Sequence, residues 1–413
     1  MNEILKTSAR PSSQTGAMNT LRRRFAAAAA LAACFGCGSA TPSASPSTAT
    51  TPTAAVAVRS LATNDVSVLF PLGRGDLWAA SMPARAGQPL LPKSAADLAG
   101  RPVIRELQGP DATYAGLRVV SLRFDPCFSG NPCYPQIRLV LQGLSANGAS
   151  AFDGAFHALY NLTPDEFAAV TAKLKVLAAL SPENDGVTRL EVSPSLLAQG
   201  MTGAYASGLR DLVVQYIGAP NLAKLTFMTR AAGGGDRWDF GGFNLKDFQP
   251  GGAFPIAGLD GSTLLQTVRE GGGGGGRGGG PGGAQAYAYN VTPDPLRGEL
   301  ALVLSSATAQ NTAPADRQRA MDALTRVENP ALESPDTVDC AACHLANRVR
   351  GHLQTTFSLS SSLSYSGSAE AARLIGGAER DNENLRAFGY FNDQPAISQR
   401  AANETIKVLA SMR

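Results

Sequence analysis

Phe152-Asp153-Gly154-Ala155-Phe156-His157-Ala158-Leu159-Tyr160-Asn161-Leu162 runs directly into Thr163-Pro164-Asp165-Glu166, and this junction decides the fold class. The pattern over 152–162 predicts a strand. It puts Phe152, Phe156 and Tyr160 on one face and Asp153, His157 and Leu159 on the other. Thr163 with Glu166 three residues on forms a capping box, and Pro164 suits the first helical position. Phe167, Val170, Leu174, Leu177 and Leu180 then recur at helical spacing, until Ser181-Pro182 stops the helix.

Outward from that junction, strands and helices mix without a regular βαβ order. Asp65-Val66-Ser67-Val68-Leu69-Phe70 is a short apolar run closed by Pro71, and 117–126 and 136–142 read as strands. Helical signals follow at 194–199 and 207–217, then a strand at 222–229 and an aromatic-rich, hairpin-like stretch at 237–245. Residues 271–283 hold eleven glycines, too uniform for a phosphate-cradling loop and without the Gly-Lys-Ser/Thr such a loop needs. They read as a flexible loop or linker. Strands are expected at 285–291 and 299–305. From Asp316 the pattern turns helical: 316–327, 340 to about 354, 368–375, and 398–412 behind the cap Ser398. The expected class is α+β, a β-rich main domain over 61–310 with a helical segment over 311–413 docked on it.

Composition narrows the function. Hydrophobic residues make up 44% of the 413 and charged residues 17%, enough for a large core and unlike a disordered polyelectrolyte. Five basic residues (Lys6, Arg10, Arg22, Arg23, Arg24) and one acidic residue (Glu3) precede Cys34. Of the net +3, the part from Cys34 onward therefore carries −1. No nucleic-acid partner is expected from that balance.

Chemistry is concentrated in Cys340-Ala341-Ala342-Cys343-His344. On one helical turn the two thiols lie side by side, each able to form a thioether, while the adjacent imidazole can ligate an iron. With six Cys and three His in the chain, such a pentad is expected by chance about six times in ten thousand sequences. Over these five residues the chain resembles c-type cytochromes. The resemblance implies one covalent haem c on Cys340 and Cys343, with His344 as proximal iron ligand. A redox dithiol would instead open a helix behind a buried strand, yet polar residues and Pro335 precede Cys340. A zinc site would need further ligands nearby, and only His352 follows.

Covalent haem attachment in bacteria implies export, and the N-terminus supplies a signal. Arg22-Arg23-Arg24 precedes a nine-residue apolar run from Phe25 to Ala33, too short to span a bilayer. Leu31-Ala32-Ala33-Cys34 follows and resembles a bacterial lipobox, which implies cleavage before Cys34 and acylation of that cysteine. Residues 1–33 are thus expected to be a signal peptide, with Met18 as its start, and 34–60 a Ser/Thr/Pro/Ala-rich tether. Phe35, rather than an aspartate, behind the acylated cysteine points to the outer membrane, with the folded part outside the cytoplasm. In an oxidising compartment Cys127 and Cys133 are expected to form a disulfide across a strand-to-strand loop.

The sixth iron ligand separates the function classes. His352 lies eight residues after His344, about 12 Å further along an unbroken helix, and reaches the other side of the same haem only if the helix breaks at Gly351. Met412 is one residue from the end, so the small-cytochrome pattern of a later methionine followed by a helix is not met. Met201, Met228 and Met321 are weaker candidates, which leaves His157. A six-coordinate iron implies an electron carrier, exchanging electrons with a redox protein or a small-molecule donor or acceptor. An open sixth position implies a haem enzyme such as a peroxidase, or a structural or sensory role. No Ser/His/Asp set or carboxylate pair is legible, so no catalytic residue is named.

Overall fold

The computed structural model describes residues 59–128, 134–182, 186–230, 237–246, 249–253, 265–271, 287–334, 337–361, 363 and 387–413. These belong to one compact unit, Ala55–Arg413. It begins with a single turn, α1 (Thr63–Val66), and β1 (Ser67–Leu69). Short helices α2 (Lys93–Asp97) and α3 (Gly109–Gly116) lead into β2 (Leu117–Asp125), β3 (Gln136–Leu144) and β4 (Ala151–Asn161). Helices α4 (Pro164–Ala178), α5 (Pro194–Gln199) and α6 (Ala204–Tyr216) precede β5 (Leu222–Arg230). Then come β6 (Arg237–Lys246), β7 (Gln249–Ala253), β8 (Leu265–Glu270) and β9 (Tyr289–Thr292).

The strands form one antiparallel sheet in the order β1-β2-β3-β4-β5-β6-β8-β9, with β7 paired to β6 off that path. The C-terminal part holds α7 (Gly298–Ala301), α8 (Ser306–Asn311), α9 (Pro314–Val327) and α10 (Cys340–Phe357). A two-stranded hairpin, β10 (Phe388–Phe391) with β11 (Gln394–Ile397), and α11 (Gln399–Met412) complete it. The class is α+β, with sheet and helices sharing their cores.

The junction after 152–162 is built as its chemistry requires. The Thr163 hydroxyl accepts from the Glu166 N–H at 3.2 Å, and the Glu166 carboxylate accepts from the Thr163 N–H at 2.9 Å. Period-2 alternation then sorts each strand between two cores. On β5, Phe227 belongs to a cluster with Phe156, Tyr160 and the buried stripes of α4 and α6, while its neighbour Met228 belongs to a second cluster. That second cluster joins Phe240, Val268 and Val291 to Met321 and Leu324 of α9 and Leu345 and Val349 of α10. Ser398 caps α11, its hydroxyl accepting from the Ala401 N–H at 3.2 Å. The helix packs against α1 and β2 and meets α10.

Several expectations are corrected. The stretch 237–245 is one strand and not a hairpin. Gly241 serves close approach instead of a turn, because a Cβ there would stand 2.6 Å from the Phe227 ring. The stretch 299–305 is not a strand: α7 occupies its start, and Leu300 and Val303, three apart, are buried together in the second cluster. A short apolar run carries no periodicity that separates the two states, and here helix packing won. β8 was not anticipated, nor was the β10–β11 hairpin that interrupts the helical C-terminal part. Residues 272–283 of the glycine run and the helix expected at 368–375 lie outside the described residues.

Candidate cofactor site

The Cys-x-x-Cys-His pentad forms the first turn of α10, and a buried polar network fixes where that turn begins. Asp339 is the N-cap and is fully buried. Its carboxylate accepts from the N–H groups of Ala342 and Leu296, both at 2.9 Å, and from the Gln266 side-chain amide at 2.9 Å. Gln266, buried on β8, closes the network by accepting from the Ala341 N–H at 2.8 Å. Two of the helix's orphan donors are thus satisfied without water.

Ala341, Ala342, Leu345, Ala346 and Val349 point into the second core. Cys340, Cys343, His344 and Asn347 share the other stripe and are only half-buried. Both cysteines are free thiols.

The antiparallel register arranges the sheet beneath in three cross-strand rows on one face. The first runs Gln142, Ala155, Met228, Phe240, Gln266. It seats the helix: Gln266 holds Asp339, and the Phe240 ring lies 4.8 Å from the His344 ring. The second row, two residues along each strand, runs Ser121, Val140, His157, Thr226, Gly242. The third runs Ser67, Arg123, Arg138, Leu159, Lys224, Asn244. Side chains of the second and third rows, from Ser121 and Arg123 to Lys224 and Thr226, line a cavity of about 90 Å³.

Electrostatics tie the helix to these rows. Burial, together with positive charge on His344, Arg123 and Arg138, pushes His157 down to about 3. His157 is therefore near enough to His344 to feel its charge, and at neutral pH it is the uncharged imidazole that ligates metals. Burial, reinforced by Asp339 and by the second thiol, raises Cys340 to about 12. Burial likewise raises Cys343 to about 11, in a field that includes Arg400, Glu404 and Arg123. Glu404 of α11 is hydrogen-bonded to Arg400 at 2.8 Å and ion-paired with Arg123. Burial alone would raise its carboxyl, yet Arg123, Arg400 and Arg138 hold it down at about 2.

The raised thiols argue against the redox-dithiol alternative, which needs a stabilised thiolate. Among the described residues no three His, Cys, Asp or Glu side chains stand together as a metal cluster. A covalent haem fits better. Two thiols and an imidazole share the half-buried stripe of one helix, and a neutral imidazole on the sheet lies within electrostatic reach of that helix's histidine.

Of the sequence-derived candidates, Cys340, Cys343 and His344 share one stripe of α10, and His157 lies on the sheet within electrostatic reach of His344. His352 is not: α10 continues unbroken through Gly351, and His352 packs edge-on against Tyr287 at 5.1 Å. Met201, Met228, Met321 and Met412 are all buried in the cores. Cys127 is disulfide-bonded, at positive φ, with its N–H donating to the Asp125 carboxylate. Cys133, expected to be its partner, lies outside the described residues, as does Cys34. No described helix is long and apolar enough to cross a membrane.

Sequence reading missed Asp339, Gln266, Arg123, Arg138, Lys224, Arg400 and Glu404. Alternation could have assigned Arg123 and Arg138 to the same strand face as His157, but only strand pairing makes them neighbours. Compared with known proteins, the chain matches no family model, no curated protein and no solved structure.

Proposed function

We propose that the chain is an exported, lipid-anchored protein that carries one covalent haem c and transfers electrons through it. The observation that carries this reading is the placement of His157. It stands on the same sheet face as Phe240, the ring against His344, within electrostatic reach of His344, and neutral. Cys340 and Cys343 would hold the group by thioethers, and His344 and His157 would supply two imidazole nitrogens to its iron. The bound group would supply one-electron redox chemistry at that iron. The Asp339–Gln266 network orients the helix turn that presents both cysteines and His344. Two strong-field ligands leave no coordination position for a substrate, which favours a carrier over an enzyme. The anchor belongs to the same reading and rests on Leu31-Ala32-Ala33-Cys34 and the tether after it.

The test is spectroscopic. Protein produced with haem-attachment machinery should keep its haem absorbance through acid-acetone extraction, show a low-spin spectrum and ignore carbon monoxide. Extractable haem, or none, overturns the reading. Covalent haem that is high-spin and binds carbon monoxide overturns the carrier role and leaves an enzyme or sensor. Cys34→Ser should move the protein from the membrane to the soluble envelope fraction.

A further inference from the structure

We infer that the outer face of α4 lies on an anionic lipid surface, with Val176 and Leu180 at the acyl boundary and Lys173 and Lys175 among the headgroup phosphates. The inference rests on the lipid-anchor reading above and extends it from the acylated cysteine to the orientation of the folded body.

The helix supplies the first argument. Phe167, Val170, Leu174 and Ala178 bury one stripe of α4 in the core. On a surface helix the opposite side is ordinarily charged. Here Ala168, Ala172, Val176 and Leu180 recur every four residues along that side, and all are exposed. Val176 is 48% exposed, and Leu180, in the turn that follows the helix, is 46% exposed. At about 100° per residue, Lys173 and Lys175 fall on opposite sides of this apolar row. Lys173 is held by uncharged partners, the Gln215 side-chain carbonyl at 2.5 Å and the Tyr216 ring, so it keeps its positive charge. The acids of the helix, Asp165 and Glu166, are confined to its first turn. An apolar row between two lysines suits a bilayer surface, where aliphatic side chains enter the boundary and lysine stems reach up to the phosphates.

The second argument is where the anchored chain joins the body. Arg59 donates from Nε to the Ala178 carbonyl at 2.8 Å, and its Nη2 pairs with the buried Asp65 carboxylate at 2.7 Å. This clasp fixes the start of the body at the C-terminal end of α4, two residues before Leu180. Arg59 follows Cys34 by 25 residues (59 − 34). A random chain of that length spans about 25–30 Å r.m.s.. A compact unit the size of Ala55–Arg413 is about 50 Å across. The α4 end is thus within the average span of the anchor, and the far side of the body is beyond it. A tether of this kind supplies an effective concentration near the millimolar range, so a contact too weak to hold a free protein suffices.

The test is hydroxyl-radical footprinting of the acylated full chain on vesicles of phosphatidylethanolamine and phosphatidylglycerol, compared with the Cys34→Ser chain free in solution. On vesicles the labelling of Val176 and Leu180 should fall about fivefold or more, while Leu332, exposed in the turn after α9, keeps its solution rate. Replacing phosphatidylglycerol by phosphatidylcholine should return at least about half of the lost reactivity, and so should Lys173→Gln combined with Lys175→Gln. Leu180→Ser should raise Val176 labelling on vesicles about threefold. Val176 and Leu180 as reactive on vesicles as in solution would overturn the inference while leaving the anchor reading intact. Protection already present in the Cys34→Ser chain, and growing with its concentration, would make this face a contact between two copies and overturn the inference as well. A mature chain whose mass shows no acyl groups would overturn the anchor reading and the inference together.

Discussion

The sheet face that carries Phe156 is closed by α4, α5 and α6, and its core is almost entirely apolar. The opposite face, which carries His157, is partitioned. Its β6–β9 end is sealed by α9 and α10, its β1–β2 end meets α11 through charged side chains, and a cavity lies over β3 to β5. The first face is specified by burial alone. The second is specified by paired charges and buried amides, which hold two helices in place. Stability is thus expected to reside mainly on one face and recognition on the other, and adjacent residues of one strand can be used to test the division.

The largest effect is expected at Phe156, which is fully buried and stacked edge-on with Phe227 at 6.3 Å. Phe156→Ala should destabilise the fold by about 3–5 kcal/mol, read from denaturant unfolding, because it leaves an aromatic-sized void in a close-packed core. A loss under about 1 kcal/mol would mean that this face is not the main core.

Asp339→Ala comes next. It removes the cap of α10, strands the Leu296 N–H, and leaves the Gln266 amide only its longer bond to the Pro293 carbonyl at 3.3 Å. Loss of a cap costs about 0.5–2 kcal/mol, and the buried Leu296 N–H left without a partner adds about 1–3. The variant should therefore lose at least twice as much stability as Thr163→Ala, whose cap sits at an exposed helix start and should cost about 1 kcal/mol. Equal losses would show that the Gln266–Asp339 network contributes no more than an ordinary cap.

The third effect depends on pH and belongs to the charged end of the second face. Glu404 is held at about 2 by Arg123, Arg400 and Arg138, against the pull of burial. A carboxyl depressed in the folded state binds fewer protons there than in the unfolded chain. Its stabilising contribution is complete above the unfolded value near 4.5 and is lost as pH falls from there towards 2. Acid titration of the apo-protein should show a fall of at most about 3 kcal/mol across that window. Glu404→Gln should flatten the fall at the price of lower stability at neutral pH.

Legibility in the sequence divides along the same faces. The Phe156 face was readable because alternation and helical spacing are local: the strand at 152–162, the Thr163 box and the α4 stripe all follow from neighbours within a few residues. The pentad was readable because it is five consecutive residues. The rest of the site was not, because Gln266 meets Asp339 across 73 positions and Arg123 meets Glu404 across 281. No local pattern encodes such pairings. The apolar run at 299–305 failed for the opposite reason: its local pattern fits strand and helix alike, and packing on α9 decides.

The smallest stability effect, and the sharpest separation of the two faces, is expected at His157, one residue from Phe156. Its imidazole is half-buried beside the cavity, and burial with nearby positive charge disfavours its protonation. Removing it deletes no core contact of the Phe156 kind. Apo-protein carrying His157→Ala should therefore unfold within about 1 kcal/mol of wild type at pH 7, as substitutions away from packed cores do. The sign reverses on acidification. The folded chain leaves His157 unprotonated between its unfolded value near 6.5 and about 3, so wild-type stability declines as pH falls through that range. The variant should lose that part of the decline and become the more stable of the two near pH 4. In the haem-loaded protein the same substitution should turn a low-spin spectrum high-spin and admit carbon monoxide. A destabilisation like that of Phe156→Ala would make His157 a packing residue and erase the distinction between the faces. An unchanged spectrum would leave the iron with another sixth ligand, and Met228, in the row that seats His344, would be the next residue to replace.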